Sequence, residues 1–135
     1  MSLRAIPLIV IAFILYNLLV LAGGGVSALD KEIFHLTMLS QGTWSFKWGD
    51  LLILITLILL FIEIVKSTYT TTSTLIDHGL SMLVFIACGA EFLMVPQAAT
   101  SVFFIIMAAT LIDVVAGYTI GIRVARRDLN LGTDQ

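Results

Sequence analysis

The chain has 135 residues, 59% of them hydrophobic and 12% charged, with a mean hydropathy of +1.08. Soluble domains are about half apolar, and runs such as Leu51 to Ile62, which hold only apolar residues and Thr, leave no polar face to turn toward water. The net charge of −2 with 7 Lys and Arg excludes the basic footprint that binds nucleic acid, and the single cysteine, Cys88, excludes an internal disulfide and a cysteine-based metal site and reads as a small buried hydrophobe.

A helix needs about 20 predominantly apolar residues to cross the hydrocarbon core of a bilayer, and four windows meet or approach that length. The first runs from about 5 to 22, with Pro7 in its first turn, where the missing N–H does no harm, and Gly23-Gly24-Gly25 at its end. Arg4, this apolar stretch and Val26-Ser27-Ala28 also resemble a cleavable signal peptide with a small-residue site. The run Ile6 to Ala22 is longer than the usual signal core of about 7 to 15 residues, and an uncleaved span fits it better. The connection over 23–49 places Leu29, Ile33, Leu36 and Leu39 at near-helical spacing, which predicts a short interfacial helix. Trp44 and Trp48 follow, and their amphipathic rings suit the headgroup level.

The second window covers about 51–65 and the third about 75–95, where Pro96 closes it. Between them lies the Ser/Thr-rich turn Ser67 to Thr74, with Thr74 and Asp77 at capping-box spacing. The fourth covers about 100–122 and meets Arg123, Arg126 and Arg127. The link between the third and fourth is so short that the two must be antiparallel neighbours. Gly117 and Gly121 have the small-xxx-small spacing of close helix approach, read here as internal packing. The expected fold is an all-α membrane protein: four transmembrane helices in an antiparallel bundle, one domain over 1–135.

Lys and Arg near span ends are retained on the cytoplasmic side. Arg4, Lys66, Arg123, Arg126 and Arg127 fall on the side of the termini, against Lys31 and Lys47 opposite, so both termini are expected in the cytoplasm. The arginines and the two tryptophans read as topology and lipid anchors.

Ionisable side chains at membrane depth are costly unless paired or hydrated. Glu63 and Asp113 each stand 13 residues past Asp50 and Thr100, about 20 Å along their helices, so they share a depth. Lys66 shares a helix face with Glu63, and Asp77 and His78 open the third window on the same side. The predicted polar cluster is therefore Glu63, Lys66, Asp77, His78 and Asp113, with Tyr118 and Arg123 nearby and Glu91 apart, toward the outer surface. One reading has these groups pair across helices to fix packing and register. The other makes them part of a proton or cation path. No second His lies near His78 or His35, which argues against a metal site, and no catalytic motif or cofactor-binding loop occurs.

Four spans in this length, with a second span ending Phe61-Ile62-Glu63-Ile64-Val65-Lys66, resemble the phosphate-starvation-inducible E-type membrane proteins of bacteria. The family often carries an arginine in the third span, where this chain has Glu91. The resemblance implies a bacterial inner-membrane protein and offers no catalytic residues or cofactor. The expected function is that of a non-enzymatic accessory or structural, stress-responsive membrane subunit; the alternative is an oligomeric ion or proton conductor, and a membrane enzyme of lipid metabolism is a third class. Expected partners are the lipid bilayer and a homo-oligomer or larger membrane complex.

Overall fold

The structure is a computed structural model that describes residues 6–68 and 74–133, with the side chains of 74, 75, 77, 124, 125 and 127–133 outside the description. The chain is mostly helical. In order it forms α1 (Val10–Leu21), a 3-10 turn at Val26–Asp30, strands β1 (Glu32–Thr37) and β2 (Thr43–Lys47), α2 (Trp48–Ser67), α3 (Thr74–Met94), a 3-10 turn at Pro96–Ala98, and α4 (Ser101–Thr133).

α4 is the central helix and packs along both α2 and α3, while α1 joins more lightly. Every third or fourth residue of α4 turns inward, giving the buried series Phe103, Ile106, Ala109, Thr110, Asp113 and Val114. Phe103 is fully buried and meets Tyr16 edge-on at 4.9 Å between ring centroids, with Phe92 parallel to it at 6.2 Å. Ala12, Val20, Leu52, Cys88 and Ile106 close around these rings. Cys88 is buried with its thiol free, as a small hydrophobe in an apolar run should be.

The outer faces are apolar too: Phe61 is 67% exposed, Leu83 61% and Leu18 58%. α2 and the Ser101–Arg123 part of α4 are long and apolar enough to cross a membrane, and only 28% and 39% of their apolar windows are buried, unlike the core helix of a soluble protein, which is enclosed. α1 and the His78–Met94 part of α3 are shorter apolar helices.

Three expectations change. The connection over 23–49 forms a 3-10 turn and an antiparallel two-stranded sheet in place of an interfacial helix, so the fold is not purely α. The alternation Thr43-Trp44-Ser45-Phe46-Lys47 has the period of a strand, and register pairs Phe34 with Phe46 and Leu36 with Trp44. Cross-strand aromatic pairs of this kind stabilise a sheet, and they outweigh the helical spacing of Leu29, Ile33, Leu36 and Leu39. α2 begins at Trp48, earlier than expected, because the Asp50 carboxylate accepts the Lys47 backbone N–H at 3.0 Å and so caps the first turn. α4 continues past Arg123 to Thr133, since nothing in Arg123-Val124-Ala125-Arg126-Arg127 breaks a helix and Arg and Ala favour one.

The exit from α1 uses Gly24 and Gly25 at φ +126 and +88, values an L side chain rarely adopts. The Gly25 N–H then bonds the Val20 carbonyl at 2.8 Å.

Candidate functional site

α2 presents Leu52, Thr56, Leu60 and Glu63 on its buried side, which is how a helix of 3.6 residues per turn carries a carboxylate inward behind apolar neighbours. Glu63 is 5% exposed. Its Oε1 accepts the Leu8 backbone N–H at 2.6 Å and the Lys66 ammonium at 3.2 Å. Lys66 Nζ also donates to the Ile6 carbonyl at 3.4 Å.

The start of α1 explains this. A helix leaves its first N–H groups unpartnered and is usually capped by a Ser, Thr, Asp or Asn just before it. Residues Ile6-Pro7-Leu8-Ile9 offer none, and no side chain of α1 caps its own start. Glu63 supplies the acceptor from a neighbouring helix, where a negative charge also suits the helix dipole.

Asp113, 4% exposed, faces the same region from α4. Ser81 of α3 hydrogen-bonds it, and Glu63 and Lys66 both act on it electrostatically. Its Oδ2 is buried and has no hydrogen-bond partner among the described residues. His78 stacks face to face on Tyr118, with centroids 4.2 Å apart and planes at 15°. This contact needs Gly117, where a Cβ would lie 3.2 Å from His78 Cε1. Gly117 thus serves packing within the chain.

A second polar group lies at the opposite end of the helices. The Tyr16 hydroxyl, on a side chain 1% exposed, donates to the Gln97 carbonyl at 2.7 Å and lies 2.8 Å from Thr100 Oγ1. Thr100 Oγ1 in turn accepts the Phe103 N–H at 3.1 Å and caps α4. Asn17 Nδ2 donates to the Phe13 carbonyl at 2.9 Å, and Asn17 also bonds Glu91. Asn17 Oδ1 and Glu91 Oε2 are buried without partners among the described residues. Glu91 therefore belongs to this end of the helices, away from Glu63 and Asp113: Asn17 meets it from α1, and it acts electrostatically on Tyr16 and Cys88.

Of the predicted cluster, Glu63 and Lys66 are joined directly and Asp113 faces them. The side chain of Asp77 lies outside the described residues, as do those of Arg4, Arg127 and Thr74. Arg123 and Arg126 are exposed on the far part of α4, while Trp44 and Trp48 are exposed near the start of α2. Ser81, Tyr16 and Asn17 join polar groups that sequence reasoning did not assemble. The signal for the last two was present, since they are the only polar side chains in the run from Ile6 to Ala22. No group of three metal-ligating side chains forms among the described residues. No family model, curated protein or solved structure matches this chain.

Proposed function

We propose that this chain crosses a bacterial inner membrane four times, with residues before α1 and after α4 on the cytoplasmic side, and serves there as an accessory or structural, stress-responsive subunit, not as an enzyme. The bonding of Glu63 carries the reading. A carboxylate held by a backbone N–H and an ammonium joins two helices and is not free to pass ions along. The exposed apolar faces of all four helices support a lipid surround, as does the resemblance to phosphate-starvation-inducible E-type proteins. Complete burial of Ala12, with Tyr16 and Val20 at 1% exposure, supports an α1 that is kept rather than cleaved, because its removal would empty the centre of the core.

Asp113 favours the second reading, an oligomeric proton or ion conductor, because one of its buried oxygens lacks a partner among the described residues and an unpaired intramembrane acid commonly marks a path. Native mass spectrometry in lipid nanodiscs, with flux measured in liposomes, separates the two. The accessory role predicts a full-length chain bound to a foreign subunit, with flux equal to that of empty liposomes. Flux through a homo-oligomer that Asp113→Asn abolishes, with the helical content intact, transfers the function to the conductor.

A further inference from the structure

The β-hairpin has one apolar face that stays largely open among the described residues. Phe34 and Phe46 stack at 5.0 Å, and Trp44 meets them edge-on at 6.0 and 5.6 Å. Phe34 and Trp44 are each 43% exposed and Leu36 50%. The strand register puts these four residues on one side and His35, Ser45, Thr37 and Thr43 on the other. At the tip, Leu39 is entirely open.

The base of the hairpin is fixed to the start of a membrane-capable helix. β2 runs into α2 with no residue between Lys47 and Trp48, and the Trp48 N–H donates to the Lys31 carbonyl at 3.1 Å. Trp48 is itself exposed and lines an apolar groove between α1 and α2 with Leu18, Leu19, Leu51 and Ile55. The apolar exterior of the helices therefore begins where the hairpin ends, and a six-residue strand reaches about 20 Å from that point.

We propose that the hairpin lies flat on the outer leaflet, with Phe34, Leu36, Trp44 and Phe46 set into the boundary between headgroups and acyl chains. Its His35 and Ser45 side faces water, and Lys31 and Lys47 lie at the level of the lipid phosphates. Lipid is the occupant because the face continues the exposed apolar surface of α2, because Trp is the side chain that favours this depth, and because the lysines flank the base with the charge that anionic lipid attracts. A two-stranded sheet is marginal by itself in water, so a covering surface also explains why it persists. The inference rests on the reading that α2 spans a bilayer.

The chain has two tryptophans, so each can be read separately. Trp48→Phe leaves Trp44, and Trp44→Phe leaves Trp48. Each variant is placed in phosphatidylcholine–phosphatidylglycerol vesicles whose acyl chains are brominated either near the headgroup or near the methyl end. Trp44 should be quenched strongly by the shallow bromine, weakly by the deep one, and be shielded from acrylamide. Trp44 open to acrylamide and untouched by bromine, with Trp48 still quenched, overturns the hairpin proposal and leaves the span intact. Trp44 shielded from both quenchers also overturns it, since protein would then be the cover. Loss of bromine quenching at Trp48 removes the spanning reading itself. A nitroxide on Leu39→Cys in a Cys88→Ala chain gives an independent depth: collisions with oxygen should exceed those with a nickel chelate, and the reverse order overturns the proposal.

Discussion

Glu63 does two jobs with one oxygen: it accepts the Leu8 N–H in the turn that leads into α1 and pairs with Lys66. Removing it leaves the Leu8 N–H without its acceptor and the Lys66 ammonium with only the Ile6 carbonyl among the described residues, and such losses cost about 3 kcal/mol together. Glu63→Ala is expected to lose about that much in a reversible unfolding titration in mixed micelles, whereas Glu63→Gln, which keeps an acceptor oxygen for Leu8, should lose about half as much. Equal losses would mean that the charge matters and the cap does not. The pairing of Glu63 with Lys66 was legible from their spacing of three residues. The bond to Leu8 was not, because nothing local to position 63 says which distant backbone N–H lacks a partner.

Among the elements, the hairpin and the start of α2 depend on close approach. A Cβ at Gly49 would lie 3.0 Å from Val102 Cγ2 and 3.3 Å from the Leu29 carbonyl oxygen, so α2, α4 and the 3-10 turn before the hairpin meet so closely that any side chain there pushes its neighbours outward. Gly49→Ala should cost about 1 to 3 kcal/mol through overpacking and lower the thermal midpoint of the purified protein, while Gly79→Ala, which meets open space and favours helix, should leave it level or raise it. The helices themselves were readable as long apolar runs. The interfacial segment was misread because Leu29, Ile33, Leu36 and Leu39 satisfy a helical template while Phe34, Leu36, Trp44 and Phe46 satisfy a strand, and cross-strand ring contacts that decide between them exist only once the chain folds back.

At the scale of the molecule, topology follows from the two ends of the helices. In a Cys88→Ala background, His35→Cys, on the hairpin side that faces water, should react with a membrane-impermeant maleimide added to intact cells whose outer membrane is permeable to it, and Arg126→Cys only after the inner membrane is opened. The opposite pattern inverts the orientation drawn from the lysines and arginines, and labelling of both from outside rules out three crossings between the hairpin and residue 126, and with them the four-span reading.

Composition and hydrophobic run length by themselves determined that the chain is mostly helical and carries membrane-capable helices, because transfer out of water depends on how many apolar residues stand in a row and not on what they touch. Only the tertiary structure decided that Glu63 caps α1, that Asn17 meets Glu91, that Gly117 seats His78 against Tyr118, and that residues 32–47 pair as strands. Each of these joins groups far apart in sequence, and a hydrogen bond or ring contact depends on positions a few ångströms apart in space, a relation that the order of residues along one chain does not contain.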